Sequence, residues 1–406
     1  MAYYPYYHQR KYFSEDVLVY IEEVDLPNNT IIFDFIDSNE LELFSNITNS
    51  ENNLERPSMV VLTNYKGKKI QENTIYSIKT EIIRSWSEEQ LINQQLDSFL
   101  IGFRIENSDN SLNVFSNSVP FSFLDKLHVS PYIWGKRNID DLNLNFTGKI
   151  SVNIRDVEQG NWNEIYYGET VKIVFDSGAP INASKADIIS IIGNRNTKYS
   201  KDKPILILSH WDKDHYHSLL GMTDAELANN FSKFICRDKV PNLTSRILFS
   251  RIRRLLGNQN IYCIAEIPKS KTDPFFQNIS PITRQIVLYN SQENKNRNIS
   301  GLVLTVKSAN KSIILSGDSH YKHISDSILS HLNYPNEHHL VVPHHGGKAG
   351  PYKYNLPTLI QPGKAIISVG LNNYGHPLRT YRDSLKLTGF RICQTRISKS
   401  DIIINL

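Results

Sequence analysis

Cysteine is scarce in this chain, with Cys236, Cys263 and Cys393 the only three among 406 residues. They stand far apart and form no Cys-x-x-Cys pair, which argues against a disulfide framework and against a thiolate zinc site. No apolar run approaches the roughly 20 residues needed to span a bilayer. The N-terminus, Met-Ala-Tyr-Tyr-Pro-Tyr-Tyr, lacks the basic start and apolar stretch of a secretory signal. The expected location is therefore cytoplasmic, with no membrane partner. Charge of one sign is also lacking, since 45 Lys+Arg against 41 Asp+Glu give a formal net charge of only +4. Nucleic-acid binding would then need a local basic groove rather than a net excess. What is left is an ordinary globular composition, and the length predicts two domains.

Histidine is scarce only in the first half. Of 13 histidines, just His8 and His128 precede residue 209, so the second half carries something that needs imidazole. The first 147 residues read as a smaller β-rich domain, with strand-like runs at 17–21, 30–35, 59–62 and 99–105 between Asn/Ser-rich connectors. They contain no catalytic constellation, so a role in support, partner binding or substrate binding is expected there. Residues 148–406 follow a different grammar. Strand-like runs at 150–154, 171–175, 204–208, 302–306, 312–315 and 340–342 alternate with helical stretches near 186–192 and 324–332. Polar residues stand at the strand ends, where ligands gather in layered α/β folds.

Four ligand-capable side chains fall within six residues: His210, Asp212, Asp214 and His215. A loop leaving the apolar strand 205–208 can turn alternate side chains inward, so this spacing suits two adjacent cations. On that reading His210 and Asp212 serve one and Asp214 and His215 the other. Asp318, in Leu-Ser-Gly-Asp, can bridge two cations with its two oxygens. His344 and His345 precede two glycines that let backbone approach a ligand closely, and at least one of the pair is expected to be a ligand. His376 can hydrogen-bond a substrate oxygen or donate a proton to the leaving group. His320, His323, His331, His338 and His339 read as surface or cap residues, and His217 is undecided.

Taken in order, these segments resemble the metallo-β-lactamase fold superfamily, and most closely the hydrolase domain of ComEC-type DNA-uptake proteins. Asp156-Val-Glu-Gln-Gly160 is similar to that domain's opening Asp-Val-Gly-Gln-Gly turn, with Glu158 in place of a glycine. Asp176-Ser-Gly178 matches an Asp-Thr-Gly turn. In Ser209-His210-x-Asp212-x-Asp214-His215, Asp212 replaces the second His of the more usual His-x-His-x-Asp-His. Leu315-Ser-Gly-Asp318, Val342-Pro-His-His-Gly346 and Asn372-Asn-Tyr-Gly-His-Pro377 follow in the same order. The resemblance implies an α/β fold, an αββα sandwich with a metal site at one edge of two sheets. It implies ligand roles for His210, Asp212, Asp214, His215, Asp318 and one of His344 or His345. Such domains often carry another His before the strand matching 301–306. Here that stretch reads Val287-Leu-Tyr-Asn290, which leaves the cation of His210 and Asp212 short of a ligand and weakly held. Oxygen in place of nitrogen also shifts preference from zinc toward manganese.

Two divalent cations can generate hydroxide at neutral pH and stabilise a leaving oxygen, with Asp214 orienting the nucleophile. The expected activity is that of a metal-dependent phosphodiester hydrolase, a nuclease acting on DNA or RNA. Alternatives are hydrolysis of a small phosphodiester, cyclic nucleotide or lactone, or a catalytically decayed domain that binds a partner. Arg246, Arg251, Arg253 and Arg254 on one amphipathic helix, with Lys269 and Lys271 after it, can neutralise phosphates. The tyrosines Tyr3, Tyr4, Tyr6 and Tyr7 can stack bases or pack as an arm.

Overall fold

The computed structural model of the chain describes residues 16–25, 27–50, 59–89, 100–106, 114–115, 146–294, 296–329, 332, 336–372 and 375–406. His8, His128, His331, Tyr374 and the early tyrosines Tyr3, Tyr4, Tyr6 and Tyr7 lie outside these described residues. The chain divides into two compact units, Met1–His128 with Pro241–Ile247, and Val129–Val240 with Leu248–Leu406. Among the described residues no helix is long and apolar enough to cross a membrane.

The first unit is built on a six-stranded sheet in the spatial order Ile75–Lys79, Asp16–Asp25, Thr30–Phe35, Met59–Thr63, Leu100–Ile105, Trp86–Glu89. Asn29, at φ 53°, closes the turn between the second and third of these, a conformation asparagine tolerates better than most residues. The helix Ser38–Thr48 starts where the Asp37 side chain accepts from the amides of Asn39 and Glu40. It buries Leu41 and Phe44 against Phe33, Phe35, Trp86 and Phe103. The segment Pro241–Ile247 belongs here although it is distant in sequence. Leu243 enters this core, the Asn242 amide bonds Glu22, and Thr244 N donates to Asp34 Oδ2 at 2.9 Å.

The second unit holds two seven-stranded sheets. One runs Ile261–Ile264, Lys233–Arg237, Ile205–Ile207, Thr170–Ser177, Trp162–Tyr167, Ile150–Ile154, Ile402–Asn405; the other runs Phe276–Pro281, Ile286–Ser291, Leu302–Lys307, Lys311–Leu315, Glu337–Val341, Gln361–Ile367, Arg391–Gln394. Side chains alternate across each strand. Val152, Ile154, Ile173, Phe175, Leu302, Leu304 and Leu315 therefore fill the space between the sheets. Their neighbours Val303, Ile314 and Leu340 face outward, under Tyr321 and Ile324 of the helix Tyr321–Ser327 and Leu385 of Arg379–Leu387. Helices Arg195–Asp202 and Lys213–Gly221 cover the other sheet. Burial on both faces explains the continuous apolar runs of the central strands. The layers are helix, sheet, sheet, helix. The parallel strand Thr170–Ser177 carries Asp176 at its C-terminal end, and Ile205–Ile207, Lys311–Leu315 and Glu337–Val341 are followed by His210, Asp318 and His345.

Candidate metal centre

The strand Ile205–Ile207 is wholly buried and pairs in parallel with strands on both sides. That anchors the loop behind it: Asp212 is extended at φ −91° and the helix Lys213–Gly221 begins at once. The turn brings the hexad's side chains together. His210 Nε2 lies 3.4 Å from Asp212 Oδ2 and 3.7 Å from Asp318 Oδ2. His215 Nε2 lies 3.1 Å from Asp318 Oδ1 and 3.7 Å from Asp214 Oδ1. His345 Nε2 stands 3.0 Å from Asp214 Oδ2. Ligand atoms of His210, His215 and Asp318 fall within 4.8 Å of one another, and so do those of Asp214, His215 and His345. His215 is common to both sets. Asp214 and His215 thus share one trio, His215 also reaches the other, and Asp212 flanks His210 outside both.

Each imidazole is aimed by its other nitrogen. His215 Nδ1 is 2.8 Å from Asp176 Oδ2, and His345 Nδ1 is 2.7 Å from the carbonyl of Ser368. A carboxylate and a carbonyl only accept, so both rings carry a proton on Nδ1, which leaves Nε2 as the atom a metal would take. His210 Nδ1 meets Ser209 Oγ at 3.0 Å. Asp176 also accepts from Ser209 N at 2.7 Å and Ser209 Oγ at 2.9 Å, which ties it to the hexad loop. Its φ of 60° is a conformation that costs free energy and is tolerated where surrounding bonds over-determine it. Sequence pattern identified Asp176 only as a turn residue. Its strand-end position was the one available signal for a supporting role in the site.

Glycine placement fixes the rest. At Gly317, φ 52°, a Cβ would sit 3.0 Å from Ser209 Oγ, so only glycine lets Asp318 approach the hexad this closely. His344, His345 and Gly346 have φ of 51°, 53° and 79° in succession. This run turns His345 into the cluster and leaves His344 partly exposed, with Nε2 4.0 Å from Asp318 Oδ2 and outside both trios. His376 lies beside His344, ring centroids 5.5 Å apart, and its backbone is held by the Asn372 side chain through two 3.0 Å bonds.

The cluster fits divalent cations. His210 Nε2, His215 Nε2, His345 Nε2, Asp212 Oδ1 and Asp318 Oδ1 are all buried without a hydrogen-bond partner. A buried unsatisfied polar atom costs about 1–3 kcal/mol, and here such atoms converge on one point, imidazole nitrogens facing carboxylate oxygens. Without a metal, protons carry the compensating charge. Burial opposes ionisation of Asp214, yet His215 and His345 hold its carboxyl down to about 2. Burial likewise opposes charge on His215, but Asp318, Asp176 and Asp214 raise it well above the usual range. His376 is different: burial, then His344 and His345, lowers it to about 3, so at neutral pH it is an uncharged imidazole.

Other expectations need correction or explanation. Asn290, at the end of the stretch that lacks a histidine, turns away to Arg237 and to the carbonyl of Ala265. Arg237 is itself buried against Ser300 and, at 3.2 Å, Glu266. Glu158 takes the glycine-like φ of 60°, and its carboxylate accepts from Leu371 N at 3.2 Å. His217 is fully buried with Nδ1 2.7 Å from the Pro180 carbonyl, a scaffold role. His338 and His339 are buried rather than superficial, because the strand carrying them is covered on both faces. The arginines of the amphipathic helix Leu243–Leu256 are engaged: Arg246 with the carbonyls of Ile36 and Pro241, Arg251 and Arg254 with Asp224, and Arg253 with Asn258.

Two facing sheets clad in helices carry the candidate ligands at one edge, beyond three strand ends, with the supporting Asp176 at a fourth. This helix–sheet–sheet–helix architecture is the one that the sequence resemblance to the metallo-β-lactamase superfamily implies. No family profile and no curated protein matches the chain. Among solved structures it is similar to the metallo-β-lactamase fold protein YhfI from Bacillus subtilis, at 10% identity and TM-score 0.37, over 63% of this chain and 100% of that one. It is similar to the diiron β-hydroxylase CmlA from Streptomyces venezuelae at 11% identity and TM-score 0.36, over 65% of this chain and 55% of that one. It is similar to the short form of human tRNase Z at 9% identity and TM-score 0.30, over 51% and 85%. These scores leave the fold to be read from the sheet topology and from the order of the candidate ligands along the chain.

Proposed function

We propose that the protein is a metal-dependent phosphodiester hydrolase acting on nucleic acid. The observation that carries this reading is the convergence of buried, unpartnered Nε2 and carboxylate atoms from His210, His215, His345, Asp212 and Asp318, in the order that resembles ComEC-type hydrolase domains. On this reading Asp214, His215, His345 and Asp318 hold one cation, and His210, Asp212 and Asp318 hold a second, weaker one. When bound, such cations supply an activated water and charge for the leaving oxygen. Zinc and manganese both suit the mixed donors, manganese more as oxygen replaces nitrogen.

The chain's own groups have separable tasks. Asp214 lies between the rings of His215 and His345 and stays ionised, so it can orient the attacking nucleophile by accepting its hydrogen bond. His376, uncharged at neutral pH, offers a hydrogen bond to a non-bridging or leaving oxygen rather than a positive charge. Asp176 and the Ser368 carbonyl keep the two rings in the tautomer the site needs.

The test is divalent-dependent cleavage of plasmid and single-stranded DNA by the parent and by Asp214→Ala. Cleavage by the parent alone, reduced at least about 100-fold in the variant, is the expected result. Activity confined to small diesters or lactones moves the substrate, and metal uptake without hydrolysis of any of these leaves a binding domain.

A further inference from the structure

Beyond the metal cluster, the same edge of the sandwich carries a row of parallel aromatic rings. Lys311–Leu315 ends at this edge, just before Asp318. Its neighbours Leu302–Lys307, Ile286–Ser291 and Phe276–Pro281 follow in successive antiparallel pairs, so Leu302 starts here, Ser291 ends here and Phe276 starts here. Phe275 therefore stands on the metal edge, its carbonyl fixed by Gln292 N at 2.8 Å. The ring of His323 lies on Phe275 with centroids 3.9 Å apart and planes 17° apart. His320 continues the stack at 5.8 Å and 9°.

His320 is two residues past Asp318 and packs so closely on Gly350 that a Cβ there would sit 2.5 Å from its Nδ1. The ladder thus begins beside the metal cluster and ends at Phe275. All three side chains are partly exposed, which is not how a ladder serving only the core would be placed. Cations flank it: Lys269 and Lys271, just before Phe275, are exposed, and so is Lys322 between the two histidines, 3.7 Å from Asp326. Aromatic faces beside exposed cations are what unpaired nucleotides require, bases stacking while phosphates meet charge. A duplex, with its bases already stacked inside, gains nothing from such a ladder. The arginines of the helix Leu243–Leu256, by contrast, are occupied by internal partners.

We propose that Phe275, His323 and His320 form a stacking platform for unpaired nucleobases, so that single-stranded nucleic acid lies along the metal edge. This rests on the phosphodiester reading for the chemistry, though not for the binding itself. The experiment uses the full chain. Binding of a fluorescent single-stranded oligothymidylate or oligouridylate, and of a duplex of equal length, is measured by anisotropy in the Asp214→Ala background with and without Phe275→Ala. Hydrolysis of bis(p-nitrophenyl) phosphate is measured with Phe275→Ala alone.

Loss of one stacked base weakens binding about tenfold. The expected result is that Phe275→Ala raises the single-strand Kd by about that factor, Phe275→Trp restores it, and hydrolysis of the small diester is unchanged. A single-strand Kd unaffected by Phe275→Ala, tighter binding of the duplex, or no oligonucleotide binding overturns the proposal. An equal loss on the small diester does so too, since it would show a damaged metal centre. Absence of diester hydrolysis by the parent together with Phe275-dependent binding refutes the catalytic reading and supports the platform.

Discussion

Replacing Asp176 by Asn isolates one charge at the centre of the account. Asn is nearly isosteric and tolerates the φ of 60° found here, so the backbone need not move. What changes is the acceptor pattern. The carboxylate receives Ser209 N at 2.7 Å, Ser209 Oγ at 2.9 Å and His215 Nδ1 at 2.8 Å. Asn keeps one acceptor oxygen. If that oxygen stays on Ser209 N, the new amide faces His215 Nδ1 and donates to it. The ring proton then shifts to Nε2 and removes the imidazole lone pair that a metal would take. If the amide is flipped instead, its donor meets the Ser209 N–H.

Removing an outer hydrogen-bond partner of a metal-ligating His costs about 10–100-fold in metal affinity, and losing a buried charged hydrogen bond costs about 1.5–3 kcal/mol. The expected outcome for Asp176→Asn is metal affinity down by that factor, read by competition with a chromophoric chelator. The melting temperature should fall by about 5 °C. A melting temperature that falls while metal affinity stays within about threefold of the parent would refute the reasoning, because Asp176 would then brace the loop without setting the tautomer of His215.

His345→Ala should lower metal affinity at least about 100-fold, beyond the loss of an outer partner, whereas His344→Ala should change it less than about tenfold; the reverse order in the same chelator competition would exchange their roles. The buried His338, bonded to Ser312 Oγ at 2.8 Å and Tyr354 Oη at 2.7 Å, is lowered to about 3 by burial and then by His339. Its folded pKa is below the unfolded value of about 6.5, so only the unfolded chain takes up the proton as pH falls below that value. Stability is complete above pH about 6.5 and is lost toward pH 3 at about 1.4 kcal/mol per pH unit for this group. Urea unfolding of metal-free protein between pH 7 and 5 should show His338→Gln with a slope smaller by that amount; equal slopes would contradict the assignment.

Much of the site was legible in sequence because its ligands cluster locally. The strand 205–208 is an unbroken apolar run, and whatever follows such a strand lies at a sheet edge, which pointed to 210–215; the same logic found Asp318 and the pair at 344–345. Choosing His345 over His344 needed the succession of left-handed residues, which two flanking glycines suggest without orienting. Asp176 was noticed as a turn, yet its bond to His215 joins residues far apart in sequence, and spacing carries no information about that. Pro241–Ile247 falls within the second region by sequence order, but its side chains complete the core of the first unit through Leu243 and Asn242. Helical periodicity likewise gives a basic stripe on Leu243–Leu256 but not Asp224, which takes two of its arginines.

Metal content decides whether the buried His/Asp cluster holds divalent cations. Elemental analysis of the purified chain, before and after reconstitution with zinc or manganese, gives the stoichiometry, and anomalous scattering locates the ions. One tightly held ion per chain is expected among Asp214, His215, His345 and Asp318. A second, taken up only at higher concentration, should sit beside His210 and Asp212, and the tight ion should be lost in His345→Ala. A chain that takes up neither zinc nor manganese, or that holds its ion away from these residues, would contradict that expectation.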